Sequence, residues 1–458
     1  MIFSSLLFLF RFIPIFFVIY YLSPAKVKNL VLLIGSIIFY AWGEPKFLIL
    51  IIISILVNYL AGLLIDLFEK QKSPLKRIVF ILAVIYDLAA LFVFKYIDFF
   101  IGNINSIFGT SIKLLELTLP LGISFYTFQI MSYIIDLYKG KIKVEKSPVI
   151  LGTYLAMFPQ LIAGPIVVYS DVSDKLKDRK FDLSDIEDGV ATFILGLGSK
   201  VLIANNVGML WDDIALVGYE NIHALSAWLG VVAFTLQIFF DFNGYSLMAI
   251  GLGKMLGFNF PKNFDFPYIS RSLTEFWRRW HITLSTWFRE YVYIPLGGNR
   301  KGKNRTYVNL FIVWFLTGFW HGAGWNFILW GLFFFVMLSI EKLGLKEFLD
   351  KHIVFSRVYS VCLIGLSWMI FAITDINSLG VYFTKLVSFG RDLNALYFIR
   401  NYGVTLVIGC LFSTPIFRAT YEKNRRKPLG IIVLVLIFVV SIAYLTDATY
   451  NPFLYFRF

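Results

Sequence analysis

The sequence predicts an all-α protein that crosses a membrane many times. Hydrophobic residues make up 58% of the 458 positions and charged residues only 16%, whereas soluble globular proteins carry about 25% charged residues. Apolar runs close to the ~20 residues that a helix needs to cross a bilayer recur along the whole chain. The predicted membrane segments are residues 1–22, 29–45, 46–68, 78–97, 114–138, 148–169, 187–207, 222–240, 306–321, 324–342, 355–373, 401–419 and 429–446.

The first of these segments is expected to be a retained span and not a cleaved signal peptide. No basic residue precedes its apolar core, Arg11 and Pro14 interrupt it, and no small-residue cleavage site follows. Basic residues cluster in three short loops, 69–77, 300–305 and 423–427, as in loops that stay in the cytoplasm. These loops predict that both chain termini are extracytoplasmic. The net charge of +13 therefore indicates topology and contact with anionic lipids, and not nucleic-acid binding.

Two segments lack the pattern of a simple membrane-spanning helix. Residues 148–169 contain Pro159 and Pro165, which interrupt a continuous helix. They predict a re-entrant segment, since broken backbone at membrane depth must be lined by protein or water. Residues 273–294 carry apolar side chains at helical spacing on one face. They predict one amphipathic helix that ends before Pro295.

Two of the four histidines are candidate functional residues. His281 would lie on the apolar face of the amphipathic helix, one turn before Ser285, and His321 at the end of an apolar segment. Ionisable groups at membrane depth are expensive and mark functional sites by default, and a neutral imidazole can act as a general base. The structural alternatives are an interfacial histidine beside tryptophans for His281 and a packing histidine bonded to a neighbouring helix for His321. Three glycines near His321 would let a substrate approach closely: Gly318, Gly322 and Gly324.

Other polar features of the sequence leave two interpretations open. Asp136 and Asp241 are flanked by apolar residues and are either structural partners of an arginine or groups that line a cavity. The stretch 297–303 lacks the GxxxxGK[ST] spacing of a phosphate loop. It is either a topology anchor or a contact for the phosphates of a cytoplasmic donor. Cys362 and Cys410 have neither CxxC spacing nor nearby ligands, so neither a thiol nor a metal role is predicted for them. No bound cofactor is expected.

Several catalytic patterns are absent from the sequence. It contains no GxSxG string, which disfavours a hydrolase with a nucleophile elbow. Neither candidate histidine is followed by aspartate at four or five residues, which excludes the HxxxD and HxxxxD acyltransferase patterns. No pair of histidines has the spacing of zinc ligands.

Long tryptophan-rich strings resemble the core of the membrane-bound O-acyltransferase (MBOAT) family. They are DFNGYS at 241–246, FWRRWHITLS at 276–285, WFREYVYIPLGG at 287–298 and GFWHGAGW at 318–325. FPQLIAGP at 158–165 and YNPFLYFRF at 450–458 extend the resemblance along the chain. Within the family, the string PLGGNR at 295–300 makes the sequence most similar to the alginate O-acetyltransferase type.

The resemblance implies one domain over residues 1–458, with its catalytic core at about 235–340. In that fold, about 11 to 13 transmembrane helices, with re-entrant and amphipathic helices, form a ring around a central funnel. It implies His321 as the catalytic residue and His281 as the second histidine of the site. The other residues expected to bind substrate or form the walls of the site are Trp280, Trp320, Arg279, Ser285, Asn243 and Asp241.

The function that the resemblance implies is O-acetylation by a multi-pass protein of the bacterial inner membrane. Acetyl-CoA would enter from the basic cytoplasmic side, and an extracytoplasmic polysaccharide such as alginate would receive the acetyl group with the help of an SGNH hydrolase-like partner. His321 would deprotonate the acceptor hydroxyl or relay the acetyl group itself. His281 would orient the acyl group or stabilise the developing oxyanion.

Two other functions remain alternatives. The same fold would serve a transferase that moves D-alanine from a carrier protein to teichoic acid, and a neighbouring carrier gene would favour that reaction. A non-catalytic polysaccharide exporter belongs to a different class of protein. Transporters commonly show internal repeats with paired broken helices, and the sequence has no convincing repeat of this kind.

Overall fold

A computed structural model of the chain describes residues 1–447, 451 and 454. The predicted match at 450–458 and the C-terminal end therefore lie mostly outside the described residues. The helices, in chain order, are α1 (Ile13–Leu22), α2 (Lys28–Gly43), α3 (Leu48–Lys70), α4 (Leu75–Lys95), α5 (Ile97–Phe108), α6 (Ile123–Tyr138), α7 (Pro148–Ala156), α8 (Phe158–Leu161), α9 (Tyr169–Lys177), α10 (Leu183–Gly198), α11 (Asn205–Val217), α12 (Ala224–Met255), α13 (Leu273–Arg279), α14 (Ile282–Phe288), α15 (Lys303–His321), α16 (Trp325–Ile340), α17 (Lys346–Lys351), α18 (Ile353–Ala372), α19 (Ile376–Lys385), α20 (Leu393–Phe412), α21 (Pro415–Asn424) and α22 (Pro428–Asp447).

Nine helical segments of the described residues are long and apolar enough to cross a membrane. They are Ala25–Gly43, Pro45–Lys70, Leu75–Lys95, Leu183–Val217, Ala224–Met255, Trp325–Lys351, Ile353–Ala372, Leu393–Phe412 and Pro428–Asp447. The segments Phe8–Leu22 and Ile97–Phe108 are shorter apolar helices. No strand occurs in the part of the chain that the structure describes, so the predicted all-α, multi-pass fold is confirmed.

The predicted span at 114–138 begins too early. Helix α6 starts at Ile123, and residues 109–120 have no regular secondary structure. The backbone N–H groups of Leu115 and Glu116 donate to the carboxylate of Asp98, at 2.7 and 2.8 Å. These bonds replace the carbonyl acceptors that a helix would offer, and they stabilise an extended loop where the apolar pattern predicts helix.

Residues 1–193 and 248–261 form one compact unit. Phe158 is fully buried in it, with ring centroids 5.2–6.2 Å from those of Phe8, Phe12, Phe16 and Phe39. The predicted cavity-lining or pairing residue Asp136 also lies here, 3.4 Å from the ammonium group of Lys141. The contact favours the pairing interpretation, but the partner is a lysine and not the predicted arginine.

The predicted interruption at 148–169 is confirmed. Helix α7 ends at Ala156, Met157 is extended with ψ 122°, and α8 is one turn long. Chain direction at the interruption is fixed by the Phe158 N–H group, which donates to the Ser36 hydroxyl at 3.0 Å. No helix follows until α9 begins at Tyr169. The re-entrant course of this segment through a membrane stays a prediction.

Residues 194–247 and 262–458 form the second compact unit, of which the structure describes 194–247, 262–447, 451 and 454. Its helices α15 and α16 pack with their backbones in contact, because a Cβ atom at Gly318 would meet the Cα atom of Gly331 at 3.2 Å. Small residues at a helix interface allow the two backbones to approach this closely. The contact fixes the end of α15, where His321 lies, against α16.

The amphipathic segment 273–294 is not one helix, contrary to the prediction. It forms α13 and α14, joined at an abrupt corner at Trp280 and His281. Trp280 is extended, and His281 has left-handed backbone angles, φ 42° and ψ 55°. Residues other than glycine rarely adopt this conformation unless surrounding contacts impose it. A π-helical turn, Arg289–Tyr293, then follows α14.

Candidate functional site

His281 is the corner residue between α13 and α14. Its carbonyl oxygen accepts the Ser285 N–H at 3.1 Å and so begins α14. The next peptide N–H, of Ile282, donates to the carbonyl oxygen of Asn263 at 2.9 Å. The corner is therefore held from outside, by the loop that precedes α13.

The side chain of Asn263 holds the His281 ring as well as its backbone. Nδ1 of His281 lies 3.1 Å from Oδ1 of Asn263, and the Thr283 hydroxyl donates to the same oxygen at 2.9 Å. The Asn263 amide nitrogen donates to the hydroxyl of Ser246 on α12 at 3.1 Å. The Phe242 ring, one turn earlier on α12, packs edge to face on the His281 ring at 4.8 Å.

His281 is completely buried, and the burial has an electrostatic consequence. Removal from water lowers the pKa of His281 to about 3, because a buried imidazolium loses its hydration. The ring is therefore neutral at physiological pH. Among the described residues, no group hydrogen-bonds to its Nε2 atom.

His321 occupies a different environment at the C-terminal end of α15. Helix geometry stops there because Gly322 is extended. The residue is 8% exposed, and its ring packs at nearly right angles to the rings of Trp330 and Phe371, with centroid distances of 5.0 and 5.3 Å. His321 is the last residue of α15, and the C-terminal end of a helix carries partial negative charge.

Trp320 joins the two histidines. Its ring centroid is 5.1 Å from that of His321 and 6.3 Å from that of His281. A second path of stacked and tilted rings leads from Trp280 through Trp368 to Trp330, with centroid distances of 4.8 and 5.9 Å. Buried aromatic pairs of this kind are each worth roughly 0.5–1.5 kcal/mol beyond their area, so they form a stiff frame around both imidazoles.

The glycines near His321 do not provide space for a substrate, contrary to the prediction. A Cβ atom at Gly322 would overlap the ring of Phe327, and one at Gly318 would overlap the Phe327 carbonyl oxygen. A Cβ atom at Gly324 would meet the amide oxygen of Asn326 at 2.6 Å. These glycines serve close packing of the turn between α15 and α16.

Arg279 and Ser285, both predicted at the site, make local contacts that stabilise the corner. The Arg279 guanidinium lies 2.9 Å from Glu275 and donates to the carbonyl oxygen of Asp265 at 3.1 Å. The hydroxyl of Ser285 donates to the carbonyl oxygen of Trp277 at 3.3 Å. Their predicted role in binding substrate stays a prediction, as does that of Asn243, which is half-buried on α12.

Asp241 is engaged in a buried ion pair. Its carboxylate lies 2.7 Å from the Lys200 ammonium group, and both side chains are almost fully buried. It also accepts the backbone N–H of Leu454 at 2.8 Å. These contacts favour a structural partner over a cavity-lining group, since a buried carboxylate must be matched by charge and hydrogen bonds.

The basic loop that follows α14 and its π-helical turn has an exposed tip, and a buried side chain stabilises its turn. Gly297 and Gly298 have positive φ values of 106° and 56°, and the carbonyl oxygen of Gly298 accepts the side-chain amide of buried Asn309 at 2.8 Å. Arg300 and Lys301 follow at the exposed tip. The loop thus presents positive charge on a fixed turn. This arrangement is compatible with a topology anchor and with a contact for the phosphates of a cytoplasmic donor.

Asn263 and Ser246 were not predicted as site residues. Ser246 lies in the DFNGYS string, where an i, i+4 comparison with Phe242 could have placed it on the same face of α12. Asn263 lies in an irregular loop 18 positions before His281. No periodic pattern leads to it, so only the tertiary structure identifies it.

Comparison with known proteins decides the family. The model of the MBOAT, membrane-bound O-acyltransferase, family matches residues 146–384, more than half of the chain. The "Probable alginate O-acetylase AlgI" of Pseudomonas putida is 39% identical over the whole length of both chains. The chain belongs to this family. It is therefore a multi-pass membrane acyltransferase, and the predicted family and enzyme class are confirmed.

Two further relatives of this membrane-bound O-acyltransferase carry other names. The "Peptidoglycan O-acetyltransferase" of Helicobacter pylori is 36% identical over 82% of this chain and 78% of its own. The "Teichoic acid D-alanyltransferase" of Bacillus subtilis is 30% identical over 48% of this chain and 58% of its own. Similarity thus covers most of the chain for two O-acetylating relatives and about half of it for the D-alanylating one.

Proposed function

We propose that this protein is an O-acetyltransferase of the bacterial cytoplasmic membrane. In this proposal it takes the acetyl group of acetyl-CoA from the cytoplasmic side and passes it to an extracytoplasmic polysaccharide, with alginate as the first candidate. The full-length likeness to O-acetylating relatives supports acetyl over D-alanyl transfer. An SGNH hydrolase-like partner completes transfer to the polymer, and both chain termini are extracytoplasmic.

The observation that carries the proposal is the meeting of His281 and His321 at Trp320. The two histidines come from different elements, the corner after α13 and the end of α15. A packing role for either one does not require the other. A reaction that needs both a base and a second hydrogen-bonding group does require them together.

The chemistry assigned to the site is acyl transfer from a thioester to a hydroxyl. The acceptor oxygen forms a bond to the acetyl carbonyl carbon, the carbon–sulfur bond breaks, and free CoA leaves. In the general-base route, His321 takes the hydroxyl proton and returns it to the departing thiolate. In the relay route, the ring itself carries the acetyl group between donor and acceptor. Both routes place a transient positive charge on His321, which lies at the end of α15 that carries partial negative charge.

The donor is proposed to be bound at the basic loop. Phosphates of CoA carry several negative charges, and exposed Arg300 and Lys301 offer matching positive charge in the loop that follows α14 and its π-helical turn. A carrier-bound donor lacks this nucleotide portion. The contribution of these side chains to the KM for acetyl-CoA therefore bears on the identity of the donor.

The test is release of CoA from acetyl-CoA by the purified full-length protein in nanodiscs, with and without an acceptor polysaccharide. His321→Ala and His281→Ala are compared with His352→Ala, an exposed histidine between α17 and α18. We expect His321→Ala to lose CoA release, His281→Ala to lose most of it and His352→Ala to retain it. Equal release by wild type and His321→Ala would contradict the proposal. Transfer of D-alanine from its carrier protein, with no release of CoA, would establish the other reaction.

A further inference from the structure

We infer that Asn263 is a positioning residue that holds His281 as the tautomer protonated on Nδ1, so that Nε2 accepts a hydrogen bond from an O–H or N–H group of the substrate. Its catalytic part rests on the proposed function, whereas its tautomeric part does not. In the acyl-transfer site, Nε2 of His281 is then a hydrogen-bond acceptor and not a hydrogen-bond donor to an oxyanion.

The orientation of the Asn263 side-chain amide is determined by the groups that hydrogen-bond to it. Thr283 points its backbone N–H and its hydroxyl at Oδ1 of Asn263, at 3.4 and 2.9 Å. A backbone N–H can only donate. If the amide were turned over, its NH₂ group would face this N–H, and two donors would oppose each other. The amide nitrogen instead reaches the Ser246 hydroxyl, which can accept.

The orientation of this amide determines which ring nitrogen of His281 carries the proton. Oδ1 of an amide only accepts, so the His281 nitrogen 3.1 Å from it must carry hydrogen. That nitrogen is Nδ1. A neutral imidazole has one N–H group, which leaves a lone pair and no hydrogen on Nε2. The complete burial of His281 keeps the ring in this neutral form.

The position of the His281 ring is also fixed. Asn263 is itself completely buried, and its carbonyl oxygen accepts the Ile282 N–H, so one residue fixes both the backbone and the ring of the corner. The Phe242 ring also packs against the imidazole, at right angles and with a centroid distance of 4.8 Å. A ring held on its backbone side, on its Nδ1 side and by the Phe242 ring presents Nε2 in a fixed direction.

The consequence concerns the role predicted for His281 from the sequence. An oxyanion needs a hydrogen-bond donor, and Nε2 of this tautomer has no hydrogen to donate. Nε2 is instead a buried acceptor with no partner among the described residues. It is satisfied when a bound substrate supplies a hydroxyl or amide hydrogen, which would align the acceptor alcohol or the pantetheine arm of the donor.

The experiment measures the tautomer directly. Full-length protein labelled with ¹⁵N-histidine is studied by NMR in detergent micelles, where protonated and unprotonated ring nitrogens have well-separated shifts. The four histidines are assigned by substituting them one at a time. We expect an Nδ1–H tautomer for His281 in wild type and in Asn263→Asp, which retains an acceptor, and loss of this defined state in Asn263→Leu.

Activity gives the second measurement, with kcat and KM for acetyl-CoA determined separately. Asn263→Leu is expected to lower kcat about 100-fold, as for other residues that orient a functional imidazole, and Asn263→Asp to recover most of it. The exposed Asn377→Leu is the matched control and should behave as wild type. Circular dichroism and gel filtration show that each variant is folded.

Two results would overturn the inference. One is an Nε2–H tautomer of His281 in wild type, and the other is a folded Asn263→Leu with unchanged kcat. Failure of the proposed function gives a different result, in which His321→Ala and His281→Ala release CoA normally while the tautomer is still as inferred.

Discussion

The two histidines of the site are held in opposite ways. His281 is completely buried at a strained corner, with its ring bonded to Asn263 and its charge suppressed by loss of solvent. His321 is slightly exposed at the end of a long helix, framed by aromatic rings. The first environment favours a neutral ring of one tautomer, whereas the second places a ring at a helix end that carries partial negative charge.

This difference indicates a division of labour. A general base or acyl relay must change its charge during each turnover, so it needs an environment in which both states are accessible. A residue that only orients a substrate works best if it never titrates. We therefore assign the proton or acyl transfer to His321 and the orientation of the substrate to His281. Trp320, in contact with both rings, keeps them in one site.

The strongest challenge to this assignment is His321→Ala. We expect acetyl-CoA turnover to fall by at least about 10³-fold, because His321 supplies the base or the acyl relay in both proposed routes. Rates are measured as CoA release by purified protein, with His352→Ala as the control. Residual activity above about a tenth of wild type would show that His321 is not the base or relay.

Removal of the second ring should cost less. His281→Gly is expected to lower kcat by about 10²-fold, since orientation is lost while the base remains. Glycine tolerates the positive φ of 42° at this corner, so the variant should fold at least as well as His281→Ala. Added imidazole should restore part of the rate to His281→Gly and none to His321→Ala at equal concentration. If added imidazole restored the rate of both variants or of neither, the proposed difference between the roles of the two histidines would be contradicted.

Trp320 offers a test of the link between the rings. Trp320→Ala leaves a cavity beside both histidines and should lower kcat roughly 10- to 100-fold, together with a loss of about 3–5 kcal/mol of stability. Trp320→Phe keeps an aromatic edge and should retain more of both. The measurement is kcat beside the thermal unfolding midpoint. A Trp320→Ala enzyme with full activity would show that the two rings do not depend on their common neighbour.

Charge removal in the basic loop should have a smaller effect that leaves both histidines intact. Replacing Arg300, Lys301 and Lys303 by glutamine is expected to raise the KM for acetyl-CoA roughly 3- to 10-fold with little change in kcat, and to weaken its dependence on salt. The control removes three charges from the loop 423–427. Equal effects of the two triple variants would indicate general electrostatics and not a donor site.

The smallest expected effect is that of the His281 side chain on how the free energy of unfolding depends on pH. The pKa of His281 is lowered on folding, from 6.5 to about 3, so below pH 6.5 the unfolded chain binds a proton that the native state does not. Stability is therefore lost as pH falls from about 6.5 toward 3, with a limiting slope of ~1.4 kcal/mol per pH unit for this one group. His281→Asn should flatten the decline between pH 7 and pH 4.5. Parallel curves for the two proteins would show that His281 is not held neutral.

The sequence predicts some parts of this arrangement and not others, for physical reasons. Membrane helices and the interruption near Pro159 follow from composition and from the missing N–H of proline, which act locally. The corner at His281 could not be predicted, because residues 273–294 keep an unbroken helical spacing of apolar side chains. The corner depends on Asn263, which is distant in sequence. Likewise, the sequence does not indicate whether the space beside Gly318 and Gly322 is filled by a ligand or by a neighbouring helix.

The most direct test of the central claim is a double-mutant cycle on the two histidines. Single-turnover CoA release, with enzyme in excess over radiolabelled acetyl-CoA, is measured for wild type, His321→Ala, His281→Ala and the double variant. Residues that act on one reaction as a unit give strongly non-additive losses, so we predict that the double variant is no slower than His321→Ala alone by more than about threefold. Losses that multiply fully would mean that the two histidines contribute independently, and would contradict the account.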